Sequence, residues 1–483
     1  MSLSINTASE SVKSAALAQL GSKVANLVFQ LGIQAVLARL LTPDEYGTVA
    51  ILTVFTALFT VLSDAGLSVA IIRYQDLTKD DYRRLFGFSF ILGISLSLVF
   101  IFVSYVISII YGNTEYIPLG SLLSLTVFCN SLNMVPNGLL QKEKKFKLIA
   151  LRLVFTTVVV GVAVIGFAYL GFGCYAIVLN SVLTSFFVLI WNVSTLHIRP
   201  LFGGFVPILR RVGRFSIYQF GSSAISWVAT NADSLIAGKM FGSEALGYYN
   251  RAYSLYGYPN SILASSITST LVPYLAPNQN NHDVLYASFS KIIKRVSALA
   301  MFCTVEMSIC SVEIISFLYG SAWAPAAPLL RVLSIAIYSQ GMNQAHAPLL
   351  SATGRTDLLL LSTTVNTLIT FALTVTGALC GSVQMLANCV AAAYSIEIIL
   401  PIFFCMKGCL NRRVTPYLLK LLPDLAAGAI TLVLLEGFGA LSSTPFVSLL
   451  IKAVFVAFVF LVSRVVLSAF GKLLVEIRSR WQH

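Results

Sequence analysis

The sequence predicts an all-α integral membrane protein, and three observations predict it. Hydrophobic residues make up 57% of the 483 positions and charged residues only 11%. The mean hydropathy is +0.85. Apolar runs long enough to cross a bilayer recur along the whole chain, separated by short breaks rich in lysine and arginine. A soluble domain carries roughly 25% charged residues, so 32 basic and 19 acidic side chains would leave a water-soluble particle of this size uncovered. That argues against a soluble enzyme, a nucleic-acid-binding protein and a disordered chain. The net charge of +13 does not point to nucleic acid, because the cations cluster between apolar runs instead of lining one hydrated face.

A span needs about 20 mainly apolar residues to cross roughly 30 Å of hydrocarbon. Such segments lie near 16–38, 47–71, 86–110, 117–140, 148–170, 173–195 and 214–238. They continue near 246–274, 293–318, 325–350, 358–379, 383–405, 418–436 and 446–470, fourteen in all. Pro136, Pro259, Pro273 and Pro348 fall inside spans, where neighbouring helices can satisfy the freed backbone groups. The breaks leave no room for a soluble domain. The N-terminal stretch carries only Lys13 ahead of the first apolar run and is not expected to be a cleaved signal.

Orientation follows from the basic residues. Alternate connections hold Arg39, Lys239 and Arg251 on one side and 25 lysines and arginines on the other, with Lys23, Arg331, Lys452 and Arg464 inside spans. This bias places both termini in the cytoplasm. The eight cysteines sit mostly singly in apolar runs, without a CxxC, and are expected to be packing residues. The four histidines are scattered, so no metal site is expected.

The chain also resembles itself. A shift of 200 aligns Gly21-Ser22 with Gly221-Ser222, Arg39 with Lys239 and Gly47 with Gly247. A shift of 208 aligns the run Val106 to Gly112 (VISIIYG) with Ile314 to Gly320 (IISFLYG). Each unit would hold six spans, an even number, so both copies keep one orientation, as in parallel-repeat transporters. The expected organisation is a six-helix lobe over 1–200, a second over 201–406, and two additional helices with a cytoplasmic tail over 407–483.

Ionisable residues inside spans are costly and face a bundle interior or a wet cavity. Position along each helix, at about 1.5 Å per residue, puts Lys23 level with Asp64, Asp233 with Arg251, Glu313 with Arg331, and Glu436 with Lys452. Glu306 stands near mid-membrane with no cation at its level, seven residues before Glu313 and on the same helical face. Such pairs can simply glue neighbouring helices. If the first spans of each half line a cavity, however, Lys23, Arg39, Lys239 and Arg251 make it cationic and suited to a phosphate-bearing substrate. Arg39 and Lys239 can alternatively snorkel to the outer interface.

The motifs resemble a known family. Leu40-Leu-Thr-Pro-Asp-Glu-Tyr-Gly47 is similar to the signature after the first span of polysaccharide flippases in the multidrug/oligosaccharidyl-lipid/polysaccharide (MOP) exporter superfamily. Ser63-Asp64-Ala65-Gly66-Leu67 resembles the motif that closes their second span, and Leu139 to Phe146 their turn before the fifth. Asn231 to Gly238 and Leu246 to Tyr253 resemble the seventh-to-eighth-span segment of the colanic-acid and teichuronic-acid exporter branch. The resemblance implies a two-lobed, V-shaped bundle that moves a polyprenyl-diphosphate-linked oligosaccharide across the cytoplasmic membrane by alternating access. It matches Lys23, Arg39, Lys239 and Arg251 to the cations that attend the substrate. Asp64, Asp233, Glu306, Glu313 and Arg331 are then expected to serve ion coupling or cavity pairing.

Two other readings compete. A cation-coupled multidrug antiporter of the same superfamily is kept alive by Asp64, Asp233 and Glu306, although the first span has Lys23 and no carboxylate. A membrane glycosyltransferase or polymerase would need an outer loop with catalytic carboxylates, and the outer connections hold only Asp44, Glu45, Glu115 and Glu244. Neither Gly-Lys step has the glycine loop and Ser/Thr of a nucleotide cradle. The chain is therefore expected to be a flippase and not an enzyme, with no cofactor beyond a coupling proton or sodium ion. Its expected partners are the lipid-linked oligosaccharide, membrane lipid and polysaccharide polymerase or export machinery, not nucleic acid, and it is expected to work as a monomer.

Overall fold

The computed structural model describes residue 21 and residues 25–64, 66–275, 282–437, 439 and 444–480. Among these residues every regular element is helical. The chain divides into two compact units, residues 1–247 and 248–483.

The first unit contains α1 (Ala25–Leu40), α2 (Pro43–Asp64), α3 (Leu67–Arg73), α4 (Lys79–Tyr111), α5 (Tyr116–Lys142), α6 (Phe146–Tyr169) and α7 (Cys174–Leu196). It also holds the first arm of α8 (Val206–Leu275), a helical run broken by non-helical geometry at Gly242, φ +86°. The second unit takes the rest of α8, then α9 (His282–Ile309), α10 (Ser311–Leu318), α11 (Ala326–Ala352) and α12 (Thr356–Leu379). It ends with α13 (Val383–Ile396), α14 (Ile399–Phe403), a π turn at Phe404–Cys409, α15 (Val414–Leu435) and α16 (Pro445–Arg480).

Nine described helices are long and apolar enough to cross a membrane, ten when the bent α9–α10 pair counts as one span. The other expected spans fall on α1, the two arms of α8, and α11. The last three are rich in Ser, Asn, Gln and Tyr, and α11 buries His346 outright.

The motif residues turn out to be joints. Thr42 caps α2: its hydroxyl accepts from the Glu45 N–H at 3.3 Å while the Glu45 carboxylate accepts from the Thr42 N–H at 2.7 Å. Pro43 then opens the helix where no N–H is needed, and Asp44 and Glu45 suit its positive end. Gly47 follows at a close crossing, where an added Cβ would enter the Ser243 carbonyl; one at Gly247 would enter the Pro43 carbonyl. Gly66 adopts the left-handed conformation (φ +73°) at the head of α3, and the Asp64 carboxylate accepts from the Ser68 hydroxyl across that turn. The repeated Tyr-Gly ending also has a local cause. Gly112 and Gly320 both have positive φ, and each donates its N–H back to an equivalent serine carbonyl, Ser108 at 2.9 Å and Ser316 at 3.1 Å. The same helix stop is thus built once in each unit.

Inside the first unit α5 packs on α2, α3, α4 and α7. Of its apolar window 61% is buried, against 22% for α4, α6 and α7, which makes α5 the central helix. In the second unit α11 packs on α9 and α13, while α15 and α16 pack on each other and on α9. The α9–α10 pair bends by 70° at Cys310. Glu306 and Glu313 flank that bend, so the expectation that they share one straight helical face is corrected: seven residues bring side chains into line only on an unbroken helix.

Candidate functional site

The polar interior of the first unit is built from uncharged amides. Asn130, Asn133 and Asn137 lie at i, i+3 and i+7 on α5 and therefore share one face. Asn26, Gln30 and Gln34 repeat at four-residue steps on α1. These faces, with Thr157 of α6 and Asn180, Ser181, Thr184 and Ser185 of α7, line a cavity of about 430 Å³. Behind it Asn192 donates to Asn133 Oδ1 at 2.8 Å and to Asn137 Oδ1 at 3.1 Å. Arg152 of α6 donates one Nη to both Asn137 Oδ1 (2.8 Å) and Asn192 Oδ1. Asn133 donates onward to the Ser185 carbonyl at 3.1 Å. Asn192 and Asn133 are fully buried, and each buried amide here has partners, as burial requires.

The predicted charges of this unit take separate places. Lys23 lies outside the described residues. Arg39 is exposed near the end of α1, and the Asp64 carboxylate accepts from Ser68 at the α2–α3 turn. Asp233 is buried on the first arm of α8, its Oδ1 accepting from the Ser234 N–H at 2.7 Å. The Lys239 ammonium donates to the carbonyl of Ile110 in the last turn of α4, beside the Tyr111 ring at 5.8 Å. A cation there meets the negative end of a helix.

In the second unit Arg251 is half-buried on the second arm of α8. Glu306 is half-buried too, with the Cys310 thiol 3.8 Å from its Oε1 and no protein partner for Oε2. The remaining four charges do pair, but with exchanged partners. Glu313 meets Lys452 at 2.6 Å, their side chains only 4% and 5% exposed, and Ser448 adds a contact at 3.5 Å. Arg331 meets Glu436 at 3.3 Å, both largely exposed. The expected Glu313–Arg331 and Glu436–Lys452 pairings are thus corrected. Depth along a helix is readable from sequence, whereas azimuth is decided by packing, and α10 packs on α16. Arg331, Glu436 and Lys452 border a cavity of about 460 Å³.

Sequence reasoning missed the amide cluster because it searched apolar runs for ionisable groups alone. The signal was present in the helical spacing of Asn and Gln on the first and fourth spans. Arg152 was missed for a related reason. It stands six residues into α6, so a loop tally counts it as a peripheral cation, yet it crosslinks α5 and α7.

Residues 36–328, more than half of the chain, match the model of a family described as "Polysaccharide biosynthesis protein". The chain belongs to that family. It is 23% identical over 333 residues to teichuronic acid biosynthesis protein TuaB of Bacillus subtilis (strain 168), covering 68% of this chain and 69% of the relative. It is 25% identical over 424 residues to lipopolysaccharide biosynthesis protein WzxC of Escherichia coli (strain K12), covering 82% and 81%. Among solved structures, the inward closed conformation of the lipid II flippase MurJ superposes with a TM-score of 0.73 at 13% identity, covering 94% of this chain and 98% of that one. At that identity the likeness shows the fold alone. The helices and the family together make this a multi-pass protein of the bacterial inner membrane.

Proposed function

We propose that the chain is a flippase that moves a polyprenyl-diphosphate-linked oligosaccharide across the cytoplasmic membrane by alternating access, for export of a cell-surface polysaccharide. Family membership over residues 36–328 carries the reading. The names of two relatives, one from teichuronic acid and one from lipopolysaccharide biosynthesis, support it. Fold likeness alone would not choose a cargo, because one transporter fold serves many. Both termini are proposed to be cytoplasmic, on the 25-to-3 distribution of basic residues.

Translocation of this cargo requires a polar headgroup to pass the apolar layer while its tail stays in lipid. The headgroup's diphosphate needs counter-charge, and Lys23, Arg39, Lys239 and Arg251 are the cations proposed to supply it. The exposed Lys239 ammonium exchanges its contact with the Ile110 carbonyl for a phosphate oxygen. Asp64, Asp233 and Glu306 are proposed to serve coupling to a proton or sodium gradient. Glu313 and Arg331 are proposed to pair within the second unit, tying α16 to α10 and the end of α15 to α11. The chemistry asked of these residues is electrostatic and positional, so no bond in the cargo is made or broken.

The test is translocation in reconstituted proteoliposomes, comparing a polyprenyl-diphosphate oligosaccharide with a cationic dye. Movement of the lipid without dye efflux is expected. Dye efflux without lipid movement would replace the reading with that of a drug antiporter.

A further inference from the structure

We propose that the amide-lined cavity of the first unit is a saccharide subsite that takes an uncharged pyranose residue of the glycan. The proposal rests on the oligosaccharide reading above and adds to it a place and a chemistry for sugar recognition.

The lining argues for the ligand class. Among the described residues that border the cavity none is ionisable, while Asn, Gln, Ser and Thr predominate. A charged guest would find no counter-charge among these described lining residues. An apolar guest would strand carboxamides without hydrogen-bond partners. A pyranose ring presents hydroxyls that both donate and accept, and a carboxamide does the same in a fixed plane. The volume of about 430 Å³ falls within the range of about 300–1,000 Å³ usual for small-molecule sites.

The hydrogen-bond inventory separates wall from frame. Asn133, Asn137 and Asn192 are committed to one another and to Arg152. Asn26 accepts from the Thr157 hydroxyl at 2.7 Å, and Asn130 donates to Thr60 at 3.2 Å. Gln30 and Asn180, which face the same cavity, have no protein partner among the described residues, and the buried Thr126 hydroxyl has none either. Membrane helices rarely carry polar groups that do nothing. The committed amides hold α5, α6 and α7 at fixed spacing, so the unpartnered groups are preorganised for a guest that supplies hydroxyls.

The experiment uses the full-length protein in lipid nanodiscs and saturation-transfer NMR with methyl glycosides of glucose, galactose and fucose. Asn180→Leu and Gln30→Leu replace amides by near-isosteric or similar-length apolar side chains that a membrane helix accepts. Asn180→Ser keeps a hydroxyl at one position in case the leucine variants misfold, which thermal unfolding would reveal. Transfer to ring protons of at least one glycoside is expected, with affinity weakened about tenfold for each amide removed and less for Asn180→Ser. Absence of transfer from every glycoside, or transfer undiminished in the folded double variant, would overturn the proposal. So would sodium stabilising the wild type but not the double variant with no glycoside effect, which would make the cavity a cation site. The two readings fail separately. Lipid translocation without glycoside binding removes only the subsite, and glycoside binding without translocation removes only the flippase.

Discussion

Lys452→Met is the sharpest perturbation the structure offers. It would leave the Glu313 carboxylate, 4% exposed, without the ammonium that stands 2.6 Å away. At an effective dielectric of about 20, two unit charges at that separation attract by about 6 kcal/mol. Desolvation of both groups offsets most of this in the folded protein. Removing one partner alone keeps the remaining desolvation and loses the attraction, so the expected cost is about 3–5 kcal/mol. Removing both, in Glu313→Gln with Lys452→Met, should restore stability to within about 1 kcal/mol of the wild type. The second pair is the internal control. Arg331 and Glu436 are 50% and 71% exposed, and an exposed pair contributes only about 0–1 kcal/mol. The assay is reversible unfolding in detergent micelles, run as double-mutant cycles over all four combinations of these two acids and two bases. Coupling should be large for Glu313 with Lys452 and small for every other combination. A larger coupling for Glu313 with Arg331, or a cost below about 1 kcal/mol for Lys452→Met, would refute the exchanged pairing.

Three further outcomes are expected. Arg152→Met should destabilise the first unit by about 2–4 kcal/mol, because its Nη binds the amide oxygens of buried Asn192 and half-buried Asn137; Arg152→Lys should recover only part of that, and unchanged thermal unfolding of both variants would show that the knot is dispensable. Gly47→Ala and Gly247→Ala should each cost at least about 3 kcal/mol or abolish folded yield, since a methyl group at either collides with backbone that has no rotamer to change; normal monodisperse yield of either would contradict the close crossing. Glu306→Gln keeps the shape of a side chain that has a buried, unpartnered oxygen but can no longer release a proton, so translocation should lose its response to an imposed pH gradient while sodium-driven or downhill movement persists. An undiminished pH response would take Glu306 out of the coupling step.

The resemblance to a family was legible because its motifs are rigid local constructions. Thr42-Pro43 with Glu45, Gly66 after Asp64, and the Tyr-Gly endings at 112 and 320 each solve a helix start or stop within a few residues. Such solutions depend on backbone geometry that one short segment can specify. The same fact explains why the motifs say little about cargo. They are caps and crossings, and in this structure Asp64 accepts a hydrogen bond across a turn. The amides of α1, α5 and α7 were readable in principle from their helical spacing, but their shared cavity was not. It exists only where three or four faces from distant parts of the chain converge.

Composition, hydropathy and the placement of lysine and arginine by themselves determined that this is a helical membrane protein, because the bilayer imposes length and polarity on each segment independently. Position along a helix likewise gave each charge an expected depth, without its neighbours. Which charge meets which, that the α9–α10 span bends by 70° between Glu306 and Glu313, and that Arg152 ties two amides together were decided only by tertiary structure. Rotation about a helix axis and the choice of neighbour depend on how all the faces pack at once, and no single segment carries that information.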